Sequence, residues 1–155
     1  MRIARPPVRS VRSPWTVSDK ATGSRGVGVA LTVVIADDEA AVRAALVDML
    51  GEHPALSVVG VAADAEAAVR LVGEHHPGVA VIDVRIPRGG GLEAIAGIRA
   101  VSPETRIVAY SAADDRAQMS RILTAGADRY VVKGANAHHL VEAILETAEG
   151  HPRRG

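Results

Sequence analysis

The chain alternates between two hydrophobic patterns, and this alternation constrains its fold more than any other feature. Leu31–Ala36 is a continuous apolar run rich in β-branched residues, typical of a strand that is buried on both faces. Four similar runs follow, at Leu56–Ala62, Gly78–Ile82, Arg106–Tyr110 and Asp128–Val132. A helical pattern follows each run. Five strand–helix units predict a parallel sheet with helices on both faces.

Right-handed crossovers leave few topologies for such a chain. We predict a flavodoxin-like (βα)5 fold, an α/β doubly wound parallel sheet with strand order 2-1-3-4-5. The third and fourth helices are predicted at Leu92–Val101 and Asp114–Ala125, while Asp38, Asp64 and Asn136 are expected to cap the first, second and fifth. The residues expected to face the core are Val42, Leu46, Met49 and Leu50, then Ala65, Ala68, Val69 and Val72, then Met119, Ile122 and Leu123, and finally Leu140, Ala143, Ile144 and Thr147.

Charge divides the chain into a tail and a folded part. Residues 1–30 carry six basic residues and one acidic residue, are rich in Pro, Ser and Gly, and show no hydrophobic period. We interpret them as a disordered N-terminal tail, followed by one domain at 31–150 and a short C-terminal tail at 151–155. The folded part and short tail carry the compensating negative charge.

Composition excludes several classes of function. The chain has no cysteine, so disulfides, thiolate chemistry and cysteine-ligated zinc are excluded. Its apolar runs are shorter than the roughly 18 residues of a membrane-spanning helix, so no membrane partner is predicted.

Polar side chains stand where the predicted strands end. Asp37 and Asp38 follow the first strand, Asp83 the third, Ser111 the fourth and Lys133 the fifth. In an open α/β sheet, ligands bind beyond the carboxyl ends of the strands, where the strand order switches. We therefore expect these side chains to form one site.

The residue types at this edge suit phosphate chemistry. Three carboxylates in one cleft need a cation, and hard oxygen ligands suit Mg²⁺ with a phosphate oxygen as co-ligand. Lys133 is a point charge suited to phosphate, and Ser111 can donate a hydrogen bond. The remaining carboxylate can act as a nucleophile and form an aspartyl-phosphate.

These residues carry a resemblance to a known family. From Leu31 to about Gly150 the chain resembles the receiver domain of two-component response regulators, and "DVRIPRGGGLEAI" and "AGADRYVVKGANAHHLVEAI" look most like the NarL/FixJ type. The matching residues are Asp37, Asp38, Asp83, Pro87, Gly91, Ser111, Ala112, Tyr130 and Lys133.

The resemblance implies a role for each acidic residue. Asp83 would accept a phosphoryl group from a histidine of a sensor kinase. Asp37, Asp38 and Asp83 would hold Mg²⁺ together with the backbone carbonyl of Arg85. Apart from slow self-dephosphorylation the chain would not be an enzyme, and it would be cytoplasmic.

The other matching residues would respond to the phosphoryl group. Lys133 would pair with it, Ser111 would swing toward it, and Tyr130 would move inward in concert. From the residues alone, Tyr130 is equally well explained as a core aromatic.

Two departures from the family pattern stand out. Gly134 follows Lys133, where many receivers have a proline with a cis bond. Receivers of the NarL/FixJ type usually precede a helix-turn-helix, whereas here the sequence ends at "EGHPRRG". We interpret the chain as a receiver without that output domain, either stand-alone or separated from it.

Its output is therefore expected to be a protein–protein or dimer contact in the regulation of transcription. The broad apolar face of the fifth helix, with Val141 and Leu145, is the candidate for a homodimer. DNA binding is expected only weakly, through the basic tail.

Two other classes of function remain as alternatives. One is a small Mg²⁺-dependent phosphatase with an Asp nucleophile, but that class needs a D-x-D arrangement and this chain has adjacent acids. The other is a flavodoxin-like cofactor binder, which needs a phosphate-binding loop after the first strand and aromatic residues. The chain has acid there and three aromatic residues in all.

Overall fold

The computed structural model describes residues 29–134 and 137–150 of the chain. The strands are β1 Leu31–Ala36, β2 Leu56–Ala62, β3 Val79–Asp83, β4 Arg106–Ser111 and β5 Arg129–Val132. The helices are α1 Ala40–Gly51, α2 Ala65–His75, α3 Gly90–Val101, α4 Arg116–Ala125 and α5 Ala137–Ala148. Strands and helices alternate strictly along the described part of the chain.

The five strands form one parallel sheet in the order β2-β1-β3-β4-β5. This confirms the predicted flavodoxin-like topology. The order reverses direction between β1 and β3, which are direct neighbours, with Ala36 opposite Ile82. The end of β1 and the end of β3 therefore lie side by side.

Each face of the sheet packs against a different set of helices, because side chains alternate between the faces of a strand. Val33 and Ile35 of β1 belong to a core cluster with α1 and α5. Val34 and Ala36 belong to a second cluster with α2, α3 and α4. Both faces of β1 are buried, which explains why its sequence is continuously apolar.

Most of the predicted helix faces are confirmed. Leu46 and Leu50 of α1 are buried, as are the predicted faces of α2 and α5 apart from the half-buried Val69. Leu123 is the exception: it was predicted to face the core, but it is 40% exposed. Helix α4 buries Ile122, as predicted. Leu123 is the next residue around the helix and lies outside that buried contact.

Three helix starts differ from the prediction, and the first is that of α3, which begins at Gly90 instead of Leu92. Asp64 caps α2 as expected, accepting a hydrogen bond from the N–H of Ala67 at 2.8 Å. Helix α4 begins two residues later than predicted, because its cap is Asp115. The prediction that Asp38 caps α1 was wrong, since the capping position is held by Glu39. The predicted cap Asn136 lies outside the described residues, as do residues 1–28 and 151–155.

Within residues 29–134 and 137–150, every helix is too short or too polar to cross a membrane.

Gly91 sits where the chain passes very close to the end of β3. Its N–H donates to the carbonyl oxygen of Val84 at 3.0 Å, and a Cβ on Gly91 would lie 2.9 Å from the Val84 backbone. Alanine at Gly91 is therefore expected to cost about 1 to 2 kcal/mol, because overpacking outweighs the gain in helix propensity. Gly51→Ala is the matched control, since among the described residues no neighbouring atom lies within 4 Å of the position that its Cβ would take. It should be neutral or stabilising in urea unfolding; equal effects at both positions would contradict the steric argument.

Candidate functional site

The residues predicted from the strand ends meet at one edge of the sheet. Asp37 follows β1, Asp83 ends β3, Ser111 ends β4 and Lys133 follows β5. The register of the sheet aligns the ends of these strands, because Asp83 pairs with Tyr110 and Ser111 pairs with Val132 in neighbouring strands. The structure therefore places all four at the same edge of the sheet.

Three carboxylates cluster at this edge. Asp37, Asp38 and Asp83 each have an oxygen within 4.8 Å of the others. Asp37 is 1% exposed and Asp83 is 6% exposed, while Asp38 lies at the surface. Buried carboxylates at this distance repel one another unless a positive charge lies between them.

Lys133 supplies such a charge. Its Nζ lies 2.7 Å from Oδ2 of Asp37 and 3.5 Å from Oδ2 of Asp83, and it stands 5.5 Å from the centre of the Tyr110 ring. Burial alone would lower the pKa of Lys133, but the hydrogen bond to Asp37 and the charge of Asp83 outweigh it, so the pKa is raised from 10.5. Lys133 is therefore charged at neutral pH.

Asp83 is the carboxylate whose ionisation the site disfavours. Burial raises its pKa above the ordinary value of 3.8, and the negative charge of Asp37 raises it further. The N–H of Arg85, which donates to Oδ1 of Asp83 at 3.1 Å, and Lys133 act in the opposite direction. An additional cation beside Asp83 would favour its ionised form.

Backbone and side-chain donors fix the orientation of Asp37. Its Oδ1 accepts the N–H of Glu39 at 2.9 Å, and its carbonyl oxygen accepts a hydrogen bond from Nη1 of Arg43 at 2.8 Å. Asp38 follows at the surface, and the capping position of α1 falls one residue later, at Glu39. Sequence reasoning did not predict Arg43, and no motif in the sequence points to it.

Ser111 and Tyr130 are joined through a residue that the sequence did not single out. The buried Oγ of Ser111 accepts the N–H of Ala113 at 3.1 Å. The hydroxyl of Tyr130 donates to the carbonyl oxygen of Ala113 at 3.0 Å and accepts from Nε2 of Gln118 at 2.9 Å. Tyr130 is half-buried and also packs against the core, so its packing and its hydrogen bonds both hold it in place.

Lys133 is positioned by a backbone hydrogen bond and by the turn that follows it. Its backbone N–H donates to the carbonyl oxygen of Ser111 at 2.7 Å. Gly134 then turns the chain with a φ of 89°, which a proline could not adopt because its ring fixes φ near −65°. The departure from the family pattern at this position is therefore a different backbone turn.

The sequence of the chain matches a known protein family. The model of the response regulator receiver domain matches residues 33–145. The chain belongs to the response regulator receiver domain family. The receiver is similar in sequence to the DNA-binding transcriptional activator DevR/DosR of Mycobacterium tuberculosis, with 39% identity over 119 residues. That match covers 76% of this chain and 54% of DevR/DosR, and the chain spans about half the length of the curated relatives it matches.

Solved receivers share the fold. The signal receiver domain of NarL from Mycobacterium tuberculosis superposes with a TM-score of 0.75 at 33% identity, covering 79% of this chain and 98% of that one. A two-component response regulator of the LuxR family from Aurantimonas sp. SI85-9A1 gives 0.76 at 32% identity, over 79% and 88% of the two chains. The receiver is of the NarL type, as its sequence motifs predicted.

Proposed function

We propose that the receiver is a phosphoacceptor, in which Asp83 takes a phosphoryl group from a histidine of a sensor kinase. The observation that carries the proposal is the position of Lys133, whose Nζ lies within 3.5 Å of the buried carboxylate of Asp83 and bonds Asp37. A cation next to a buried carboxylate at the end of the central strand suits a site where negative charge must accumulate.

The transfer conserves atoms and charge. A carboxylate oxygen of Asp83 forms a bond to phosphorus as the phosphorus–nitrogen bond of the phosphohistidine breaks, and the bond electrons return to the imidazole. Lys133 balances charge on the phosphoryl oxygens, and Ser111 gives up its bond with Ala113 to donate to one of them. The product is an aspartyl-phosphate on the receiver itself, which is lost only slowly, so the chain acts as a switch rather than as an enzyme.

The acidic cluster fits Mg²⁺. Carboxylate and carbonyl oxygens are the ligands this ion prefers, and it usually keeps several waters and a phosphate oxygen as further ligands. We propose that Asp37, Asp38 and Asp83 hold it, directly or through water, with the backbone carbonyl of Arg85. Bound there, the ion would supply positive charge to the phosphoryl oxygens.

We further propose that phosphorylation switches a contact with another protein or a second copy of the chain, in the cytoplasm and in the regulation of transcription. The names of relatives such as DevR/DosR support the link to transcription. On α5, Leu140 and Ile144 are buried, while Val141 and Leu145 are half-buried and pack against the core. The apolar surface of α5 that stays available for a dimer contact is therefore smaller than its sequence indicates. Any DNA contact by this chain is proposed to be weak and to need residues 1–30.

Incubation with acetyl phosphate and Mg²⁺ tests the phosphoacceptor role. The intact mass should rise by one phosphoryl group, and Asp83→Asn should abolish the rise because it removes the nucleophilic oxygen. Asp48→Asn, which changes an exposed acid on α1, is the control and should label like the wild type. Labelling of the Asp83→Asn protein to the wild-type extent would overturn the proposal. Gel filtration of the same samples would show whether labelling changes self-association.

A further inference from the structure

Tyr110 makes a contact in the functional site that the family pattern quoted above does not include. It lies on β4, one residue before Ser111, and pairs with Asp83 of the neighbouring strand. Nζ of Lys133 stands over its ring, 5.5 Å from the centre. An ammonium group within about 6 Å of the face of an aromatic ring is attracted by the ring electrons. Tyr110 is therefore a further partner of the cation on which the proposed function rests.

We infer that Tyr110 is a positioning residue, whose ring holds the ammonium group of Lys133 at the phosphorylation site while the phosphoryl group is taken up. The inference rests on the proposed function, because it concerns how Lys133 meets the oxygens of the same phosphoryl group. It assigns a role to the residue before Ser111, which the sequence did not single out.

The side chain of Lys133 has to reach across the sheet. Lys133 follows β5, whereas its partners Asp83 and Asp37 stand at the ends of β3 and β1, and β4 lies between. Neighbouring strands are about 4.8 Å apart, so the flexible four-carbon stem must stay extended past the end of β4 to bring Nζ to both carboxylates. Tyr110 is on β4, the first strand that the stem passes.

The ammonium group has three protons and three partners. Oδ2 of Asp37 lies 2.7 Å from Nζ and Oδ2 of Asp83 lies 3.5 Å from it, and the Tyr110 ring is the third partner. Lys133 and Tyr110 also line a groove of about 370 Å³ beside α1. The other described side chains that line this groove are apolar, namely Ala41, Val42, Ala45, Leu46 and Met49. Without the ring, the third proton would face apolar groups.

The contact uses the ring of Tyr110 in its neutral form. Burial raises the pKa of Tyr110 above its ordinary value of 10.0, and the charge of Lys133 offsets this only in part. At neutral pH, Lys133 therefore meets an uncharged phenol and not a phenolate. Because Nζ lies over the ring face, phenylalanine can supply the same contact.

The ring contact favours transfer because the reaction leaves it unchanged. In the proposed complex Asp37 shares its charge with Mg²⁺ and Asp83 carries the phosphoryl group, so both carboxylates engage a second partner. The ring of Tyr110 is neither a metal ligand nor a nucleophile. It can keep Lys133 over the site while the ammonium group turns from Asp37 to the phosphoryl oxygens, so a long side chain need not be ordered again during transfer.

The size of the effect follows from the energy of a partly buried contact between a cation and an aromatic ring. Loss of such a contact changes a rate by about three- to ten-fold. Tyr110→Leu removes the ring but keeps an apolar side chain, so it should slow phosphorylation by acetyl phosphate and Mg²⁺ by about three- to ten-fold. Tyr110→Phe keeps the ring face and should label within about two-fold of wild type.

The lysine content of the chain allows the contact to be observed without any reaction. Lys20 and Lys133 are the two lysines, so protein made with ¹³C-lysine gives two sets of side-chain NMR signals, and Lys133→Met identifies the set from Lys133. A group over an aromatic ring is shifted upfield by the ring current. The Cε protons of Lys133 should resonate upfield in wild type and in Tyr110→Phe, and should move to the position of free lysine in Tyr110→Leu.

Initial labelling rates, measured by intact mass, are compared for wild type, Tyr110→Leu, Tyr110→Phe, Lys133→Met, the double variant Tyr110→Leu/Lys133→Met, and Val47→Ala. In the Lys133→Met background there is no ammonium group to hold, so the change at Tyr110 should have no further effect. Val47 is half-buried against the same core cluster as Tyr110. Val47→Ala loosens that cluster but leaves the ring in place, and should label like the wild type.

The outcomes separate the two proposals. If the wild type takes up no phosphoryl group, the proposed function fails, whereas the NMR signal of Lys133 still reports whether the contact forms. If the wild type is labelled and Tyr110→Leu is labelled at the same rate, the role of Tyr110 alone is refuted. It is also refuted if Tyr110→Phe is as slow as Tyr110→Leu, or if Tyr110→Leu slows labelling equally in the Lys133→Met background, because the ring would then not act through Lys133.

Discussion

Lys133→Met should lower the free energy of unfolding by about 3 kcal/mol in metal-free buffer, and should slow phosphorylation by acetyl phosphate by about 100-fold. Both effects have the same cause. Lys133 is the cation that contacts Asp37 and Asp83, and its removal leaves two buried carboxylates facing each other. Phosphorylation slows because the phosphoryl oxygens lose a fixed positive charge.

The stability effect should depend on pH in a defined direction. The pKa of Lys133 is raised in the folded protein above 10.5, so its contribution to stability is fully present at neutral pH. It is lost only as the pH rises through the folded-state pKa. The difference between wild type and Lys133→Met should also shrink in acid, because protonated carboxylates need no cation.

Mg²⁺ provides the diagnostic comparison for Lys133→Met. The variant should bind Mg²⁺ more tightly than wild type, since Oδ2 of Asp37 is no longer engaged by Lys133. Saturating Mg²⁺ should therefore restore much of the lost stability without restoring phosphorylation. Lys133→Arg keeps the charge and is the control for both measurements. A Met variant as stable as wild type in metal-free urea unfolding would show that the contacts of Lys133 stabilise nothing.

The sheet and its polar edge could be predicted because both depend on local sequence. A continuous β-branched run indicates a buried strand wherever it lies, so β1 and β2 match their predicted bounds, β4 and β5 differ by one residue at one end, and β3 is shifted by one residue. Once the strands are placed, the side chains that follow them must share an edge. For this reason Asp37, Asp83 and Lys133 were found without any knowledge of their contacts.

Sequence reasoning missed residues whose contacts join a helix to a strand or to the end of a strand. Gln118 bonds a residue twelve positions away, and Arg99 pairs with Asp128 at a separation of 29. Such pairs depend on how helices lie against strands, which the hydrophobic period does not specify. The error at Asp38 has a different origin. An Asp in front of a helical pattern predicts a side-chain cap, whereas α1 begins one residue later, with Glu39 at the capping position and no side-chain bond to the helix.

Asp128→Ala should be among the most destabilising single changes in the described part of the chain, at about 3 to 5 kcal/mol. The side chain of Asp128 is 7% exposed and its Oδ2 accepts from Nη2 of Arg99 at 2.9 Å and from the N–H of Ile107 at 2.8 Å. Arg106 lies 3.7 Å from the other oxygen. Alanine would remove the side-chain acceptor of the Ile107 N–H and the buried negative charge that faces Arg99 and Arg106, although Nη2 of Arg99 would keep its bond to the carbonyl oxygen of Gly126.

An ion pair of equal length at the surface serves as the control. Arg129 and Glu146 also approach to 2.9 Å, but both side chains are exposed, so Glu146→Ala should cost less than about 1 kcal/mol. Urea midpoints of both variants measure the difference. Equal midpoints would show that burial adds nothing to the Asp128 pair.

Asp128 should also affect the functional site at the far end of β5. It bonds Ile107 twice, through its carboxylate and through its own N–H at 2.8 Å, and so fixes the start of β5 beside β4. Strand β5 is only four residues long and leads directly to Lys133. We therefore expect Asp128→Ala, under conditions where it is fully folded, to label more slowly with acetyl phosphate than wild type, while Glu146→Ala labels normally. A normal labelling rate in folded Asp128→Ala would mean that the bond between Lys133 and Ser111 holds the end of β5 without help from its start.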